Sequence, residues 1–540
     1  MIQSTRTATA LIAVGVGVAT ILFAAPFAGW PVVRLPAVIL PALFIVAIIF
    51  RPWRWDDRRL RAIDAWTPPA RVVWSAALVT GLALFWFVLT RFQSGEINGV
   101  DFTVYFDRPL FQTLQGRLLF VESADDVLRA QKTLLIIHAY WALVPLALLY
   151  GIHATPLWLL ALSVAAVVAG SVHVFRILQR LGAGSLLAGA SALAFVLNDN
   201  TARTLNYGFH PEVLYAWFIP WLLDAGLAGR RMSYLAAAAA CVLVKEDACL
   251  LLLASAVALG LHRYHELTWA DRLFFLAAPT LAALVNLAMY YGAIVPALTG
   301  GSVLIYGNYW VGYGATPLQA ALGMARQPVR VLSSALTSGF FTRVILPHLF
   351  LPLVGWRWTL GIAPIVALYG ASSNDQLRGY GIYYAVVLIP FLVIGASIGA
   401  LAIVDRLPIA AARRRPLAAL IVLAGALLVG STSAGYSLRP WRAEVGSVRD
   451  LVEQFDGEPV VLVQSGLYPH TGYDERIQLL TPDAVTDAGN AGAVVVLAPA
   501  IGAYPFSRAD IDALAALPAL RPPADGLLAV RLTALPARYQ

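Results

Sequence analysis

SYLAAAAACVLVKEDACLLLLASAVALG, residues 233–260, decides how this chain is read. Lys245, Glu246 and Asp247 stand side by side in the middle of an apolar run. Three ionisable groups at membrane depth are costly, and they persist where they face a polar cavity, pair with one another or do chemistry. Lys132 is the only other lysine, and arginine supplies the remaining positive charge. The triplet is therefore the first candidate site. Arg231 precedes the run and HRYHELTWADR, residues 262–272, follows it, so both ends read as cytoplasmic. At 1.5 Å per residue, each half of about 13 residues reaches only about 20 Å. This predicts two short helices that meet at the triplet. A single tilted helix with a neutralised triplet is the alternative.

Composition sets the class. Apolar residues make up 59% of the 540 and charged residues only 13%, against roughly 25% charged in soluble domains. The chain reads as an α-helical polytopic membrane protein with a small C-terminal α/β domain. Apolar segments fall near 8–26, 34–50, 71–92, 134–151, 157–176, 183–198, 212–228, 233–261, 272–296, 344–370, 382–404 and 417–434. That is about 11–13 membrane segments, some re-entrant, judged against the roughly 20 residues a span needs. The net charge of +8 sits mostly in short arginine loops, as orientation in a membrane requires, so no nucleic-acid partner is indicated. Arg6 followed by an apolar stretch that ends near AAPFAGW, residues 24–30, has the outline of a signal peptide, but an uncleaved first span is expected because further spans follow it. Cys241 and Cys249 lie about two turns apart on one helix, too far to bridge, and read as packing residues.

Charge parity orients the loops. RPWRWDDRRLR, residues 51–61, reads as cytoplasmic, as do Arg176, Arg180, Arg230 and Arg231. Outer loops are then expected at 93–133, 198–211, 297–343 and 371–381. Parity holds only if 134–151 is re-entrant or interfacial, which is tolerated where it lines a protein cavity. The bundle is expected over 1–436. Beyond it, 437–540 changes character: EPVVLVQSG, AVVVLAP and GLLAVRL read as strands and IDALAALPAL as a helix of an extracytoplasmic domain.

Five constellations carry candidate chemistry. In VDFTVYFDRPLFQTLQGRLLF, residues 100–120, Asp101 and Asp107 flank an aromatic cluster. Such carboxylates suit deprotonation of a hydroxylated acceptor or a divalent cation; the bland reading is Asp101 as a helix cap. In GFHPE, residues 208–212, His210 and Glu212 stand at the mouth of a span, where Pro211 and Glu212 also make an ordinary helix start. In the triplet, Lys245 suits a phosphate as a point charge, while Glu246 and Asp247 suit a metal or neutralise Lys245. His138, before an apolar helix, is the fourth, with a hydrogen-bonded structural role as its alternative. The fifth is the aromatic loop at 300–317 with SSNDQLRGYGIYY, residues 372–384. Tyr and Trp at that density fit an interfacial belt or a sugar-stacking surface. Arg378 suits a phosphate, and Tyr380 and Tyr383 lie beside it in sequence. Soluble-enzyme motifs are lacking: there is no P-loop and no HExxH. GASIG, residues 395–399, has the letters of a nucleophile elbow but lies within an apolar span, so it reads as helix packing.

The ordered set of an aspartate-bearing aromatic loop, His138 before LVPLALLY, FHPE at 209–212, KED at 245–247, Tyr380–Tyr384 and LYPHTGYDER at 467–476 resembles the prokaryotic membrane proteins grouped as domain of unknown function 2079. The resemblance covers roughly residues 95–500, with FHPE and KED its most specific part. That family is similar to the GT-C membrane glycosyltransferases. The resemblance implies a GT-C-like bundle in the bacterial cytoplasmic (inner) membrane. It implies transfer of a sugar from a polyprenyl-phosphate donor to a glycan, lipid or protein acceptor on the extracytoplasmic side. Asp101 matches the acidic residue of the first outer loop, and the usual tandem acidic pair is absent there. The expected catalytic residues are Asp101, Glu246 and His210. Lys245, Arg378, His138, Glu212, Tyr380 and Tyr383 are expected to bind substrate, and Asp101 and Asp247 are expected to hold a divalent cation, Mg or Mn. A transporter or lipid flippase, or a non-catalytic envelope assembly protein, is the competing reading.

Overall fold

The computed structural model describes residues 61–62, 64–122, 133–301, 307–432, 436–522 and 524–533. The expected spans at 8–26 and 34–50 and the segment around Lys132 lie outside the described residues. The chain divides into two compact units. One comprises residues up to Leu84, Ser163–Leu205 and Pro211–Ser437; the other comprises Phe85–Leu162, Asn206–His210 and Leu438–Gln540.

Helices dominate. Among the described residues three are long and apolar enough to cross a membrane: Ala70–Gln93, Leu157–Arg180 and Trp269–Thr299. They match the segments expected at 71–92, 157–176 and 272–296. A bent pair, Pro328–Leu336 and Phe340–His348 at 48°, makes a fourth if it acts as one span. Other expected segments are shorter apolar helices, including Leu143–Ile152, Gly184–Leu197 and Ile389–Val404. The segment expected at 344–370 is a series of short turns, Leu351–Val354, Trp356–Thr359 and Ala363–Gly370. Leu349 and Phe350 precede it with φ of 53° and 58°, a backbone that no regular helix accommodates. Leu78, Leu82, Leu148, Ile152, Leu281 and Val285 are exposed, as side chains facing lipid are.

The run at 233–260 is two helices, Arg231–Val244 and Ala248–Arg263. Lys245 between them is extended, with φ −164° and ψ 158°. With 14 and 16 residues, neither helix alone covers the roughly 30 Å of a hydrocarbon core. The break falls on the charges because backbone and side-chain polar groups there need partners that an unbroken apolar helix does not supply. Cys241 and Cys249 are both buried and free.

Small residues let the helices of this unit approach closely. A Cβ at Gly170 would lie 1.9 Å from the carbonyl oxygen of Ala216. A Cβ at Gly399, within GASIG, would lie 2.2 Å from that of Leu351. Ser397 pairs its hydroxyl with that of Ser191 at 2.6 Å. GASIG is thus a packing face, since its glycines and serine are taken up by neighbouring helices. Asp224, in the same unit, is fully buried and joins three elements. It accepts from Arg180 Nε at 2.7 Å and Arg230 Nη2 at 2.8 Å, and its Oδ2 meets His173 Nδ1 at 3.0 Å.

The second unit carries a four-stranded sheet in the order β2-β1-β3-β4: β1 Val461–Val463, β2 Ile477–Leu479, β3 Val494–Leu497 and β4 Leu528–Arg531. β1 is parallel to β2 and β3, and β4 is antiparallel to β3. Leu462, Val495, Leu497 and Val530 form its core with Ile511 and Leu514 of the helix Arg508–Ala515. That helix is opened by a capping box between Ser507 and Asp510. The three expected strands are present, and β2 is added. At three residues, Ile477–Leu479 is too short for its alternation to stand out from loop sequence.

Candidate functional site

The charged triplet is resolved into partners within its own unit. Lys245 Nζ donates to Glu212 Oε1 at 2.7 Å, with only 12% and 4% of the two side chains exposed. Glu212 comes from the 3-10 turn Pro211–Leu214, so the FHPE and KED motifs meet through this ion pair. Tyr215 donates its hydroxyl to Asp247 Oδ1 at 3.2 Å. Tyr291, from a π-helical turn of Trp269–Thr299, donates to Glu246 Oε1 at 3.3 Å. Tyr369 and Tyr384 stand within electrostatic reach of Lys245 and Glu212. The result is one ammonium beside three carboxyl groups in a shell of tyrosine hydroxyls. Such a shell can orient a hydroxylated ligand and hold or pass a proton. Tyr215 and Tyr291 carry no signal in sequence, because each sits in an otherwise ordinary apolar helix.

Arg378 ends the turn Asp375–Arg378 and donates from Nη2 to Thr337 Oγ1 at 3.1 Å. Tyr380 is fully buried beside Phe340 and Tyr369, with ring centroids 5.9 and 5.8 Å away. Its hydroxyl donates to the carbonyl of Val366 at 3.5 Å. Tyr383 is buried against Tyr384 at 4.5 Å.

The second unit holds the other expected residues. Asp101 stands on the π-helix Val100–Asp107. Its Oδ2 accepts from Asn98 Nδ2 at 3.1 Å and from the Tyr207 hydroxyl. Tyr207 precedes Gly208, whose φ is +95° and whose missing Cβ would lie 3.0 Å from Ile97 and Phe102. Only glycine tolerates that backbone beside those side chains, so the turn that carries FHPE also delivers Tyr207 to Asp101. His210 is buried, 4.9 Å from Phe106 and 6.0 Å from Tyr140, and His138 packs on Tyr140 at 5.0 Å. His138 and His210 therefore share the Tyr140 ring. The apolar helix that His138 precedes begins at Leu143.

Asp107, the second aspartate of the loop, is the most buried carboxyl group of this unit among the described residues. Its Oδ1 accepts from Tyr150 at 2.7 Å and from Tyr473 at 2.9 Å. Burial pushes its pKa up to about 7, against the opposing pull of the two tyrosine hydrogen bonds and of Arg108. Arg108 is equally buried. It donates to Glu122, and to the carbonyls of Gly472 at 2.9 Å and Asp474 at 3.1 Å. Phe111 stacks on Tyr473 at 4.4 Å. LYPHTGYDER is thus the partner of the Asp107-Arg108 dipeptide. This relation is invisible in sequence, where 366 positions separate Asp107 from Tyr473.

A divalent cation at Asp101 or Asp247 needs several oxygen or nitrogen ligands. Among the described residues no group of three or more His, Cys, Asp or Glu gathers to hold one. No step is assigned to a cation.

No curated protein matches the sequence. Among solved structures, ArnT from Cupriavidus metallidurans bound to undecaprenyl phosphate is similar at 13% identity and a TM-score of 0.47, over 86% of this chain and 99% of that one. Its apo state is similar at 12% identity and a TM-score of 0.45, over 86% and 98%. The family described as "Predicted membrane protein (DUF2079)" matches residues 96–486, so the chain belongs to that family and is a membrane protein with multiple apolar helices.

Proposed function

We propose that this member of the DUF2079 family is an integral-membrane glycosyltransferase that takes a sugar from a polyprenyl-phosphate donor. The observation that carries the reading is the buried Lys245–Glu212 pair at a helix break, with Glu246 and Asp247 held by tyrosine hydroxyls. Buried ionisable groups of this density in a membrane bundle are the usual mark of a working site.

In this reading a carboxylate takes the proton of the acceptor hydroxyl; the candidates are Glu246 in the first unit and, in the second, Asp101, which Asn98 and Tyr207 hold in place. The hydroxyl oxygen attacks the anomeric carbon from the face opposite the leaving group. The bond between that carbon and the phosphate oxygen breaks, and polyprenyl phosphate leaves with the electron pair. Lys245 and Arg378 are the cations available to stabilise its growing charge. Lys245 is already neutralised by Glu212, so Arg378 is the stronger partner for the phosphate. Glu246 and Asp247 shape the polar surroundings in the first unit, with Tyr380 and Tyr383 supplying aromatic wall, while His138 and His210 flank the Tyr140 ring in the second. The reaction side is extracytoplasmic and the membrane is the bacterial inner membrane.

The test is label transfer from polyprenyl-phosphate sugars to envelope acceptors by the protein in liposomes, comparing wild type with Asp101→Asn and Glu246→Gln. Transfer lost in both variants supports the reading. The broken helix also suits a transporter, whose sites are built from such interruptions. Flux of a lipid-linked sugar across the bilayer with no label transfer would favour that second reading.

A further inference from the structure

A cavity of about 400 Å³ opens in the first unit, lined by Tyr309, Trp310, Tyr313, Arg330, Thr337 and Arg378 among others. Its volume lies in the range of small-molecule sites. None of Lys245, Glu246, Asp247 or Glu212 lines it. Its wall contains two guanidinium groups and no carboxylate. Among the described residues neither Arg330 nor Arg378 forms an ion pair. Arg330 donates to the carbonyl of Gly312 at 3.2 Å and to Gln327 Oε1 at 3.1 Å, and its guanidinium stands 4.7 Å from the Tyr313 ring centre. Arg378 has the Thr337 hydroxyl at 3.1 Å. Both arginines are thus held by neutral partners, and their charge is not cancelled.

The aromatic wall is fixed as firmly. Trp310 Nε1 donates to the carbonyl of Leu368 at 2.9 Å. Tyr309 accepts at its carbonyl from the amide of Ser373 at 2.8 Å and from its hydroxyl at 3.1 Å. Two segments far apart in sequence are therefore tied together around the cavity. Paired guanidinium groups match the oxygens of a phosphate, and rigid aromatic faces beside hydroxyl donors match a sugar ring.

We infer that this cavity binds a phosphorylated saccharide headgroup, with Arg330 and Arg378 on the phosphate and Trp310 and Tyr313 against the sugar. The inference rests on the glycosyl-transfer reading only for the role of that headgroup, not for its binding. It adds Arg330, Tyr309, Trp310 and Tyr313 to the functional surface, in a cavity that Lys245 and Glu212 do not line.

The experiment measures binding to the full-length protein in zwitterionic nanodiscs. The probes are a hexose 1-phosphate, the free hexose, inorganic phosphate and a polyprenyl-phosphate hexose. The phosphorylated sugar is expected to bind more tightly than the hexose or phosphate. Arg330→Gln and Arg378→Gln are each expected to weaken it by about tenfold or more, the worth of one charge-assisted hydrogen bond. Arg378→Lys keeps the charge and loses the planar fork, so an intermediate loss with an unchanged unfolding temperature separates recognition from misfolding. Tighter binding of the polyprenyl form identifies the lipid-linked donor; equal binding of the free sugar phosphate identifies a soluble source. Both outcomes uphold the site. Wild-type affinity in both Gln variants, or equal affinity for inorganic phosphate and sugar phosphate, overturns it. Lys245→Met is the separating control. If it abolishes label transfer and leaves binding intact, site and function both stand. Arginine-dependent binding with no transfer by wild type keeps the site and removes the glycosyltransferase.

Discussion

The Tyr473 hydroxyl donates to Asp107 Oδ1 at 2.9 Å, and Tyr150 donates to the same oxygen at 2.7 Å. A residue of the C-terminal segment thereby closes over a carboxyl group of the helix Val100–Asp107 within one compact unit. Burial raises that carboxyl from its ordinary 3.8 to about 7. The native form therefore keeps a proton that the unfolded chain has already lost. The proton's contribution to stability is complete below about pH 4, declines as pH rises towards about 7 and is gone above it. Unfolding temperature and protease resistance of the C-terminal segment are expected to fall across that window. Asp107→Asn, which carries no titrating proton, is expected to flatten the profile. An unchanged slope in that variant would refute the assignment.

Lys245→Met leaves Glu212 as a buried carboxylate without its cation. The expected loss of stability is about 3–5 kcal/mol, as for other half-removed buried pairs. Adding Glu212→Gln should restore most of it. Thermal unfolding in detergent of the two single variants and the double variant measures the coupling directly.

Asp224 gathers Arg180, Arg230 and His173 within the first unit. Its two arginines are partly exposed and regain water when the carboxylate is removed, which limits the penalty. Asp224→Ala is therefore expected to cost about 1–3 kcal/mol, the range for hydrogen bonds to charged groups. The loss should appear as reduced folded yield and a lower unfolding temperature, with binding in the Arg330–Arg378 cavity intact in the protein that does fold.

Asp101→Asn is expected to lower sugar transfer by about 100-fold or more, the usual worth of a positioned general base. Its fold should be unaffected, because Asn retains an acceptor oxygen for Tyr207 and Asn98. Tyr207→Phe removes one of the two donors that orient the carboxylate. A smaller loss of rate is expected there, with little change in substrate affinity. Single-turnover label transfer distinguishes the two effects.

Chelation gives a further check. No group of three or more potential ligands surrounds Asp101 or Asp247 among the described residues. Label transfer is therefore expected to survive EDTA. Loss of transfer on chelation and recovery with Mg or Mn would return a cation to the site.

Some of this protein was legible residue by residue. An apolar run interrupted by Lys245, Glu246 and Asp247 announces a break, because the cost of burying those charges is local and does not depend on what packs nearby. The helices Arg231–Val244 and Ala248–Arg263 end and begin beside those positions. The same holds for GASIG, whose place inside a long apolar stretch already spoke for packing, and for Val494–Leu497, whose β-branched run reads as a buried strand. The membrane class and the family followed from such local signals.

Partnerships were not legible. Glu212 could be read as a helix-start acid, yet it is the counter-ion of Lys245, 33 residues away. Asp107 could be read as half of an acidic pair with Asp101, yet its partners are Tyr150 and Tyr473. Arg330 drew no notice, although it shares a cavity with Arg378. Local sequence determined where charge is expensive and where helices and strands must stop, since desolvation and backbone hydrogen bonding act on each segment by itself. Only the tertiary structure decided which group answers which, because a hydrogen bond or ion pair requires atoms within about 3 Å, and that proximity is a property of the packed chain rather than of spacing along it.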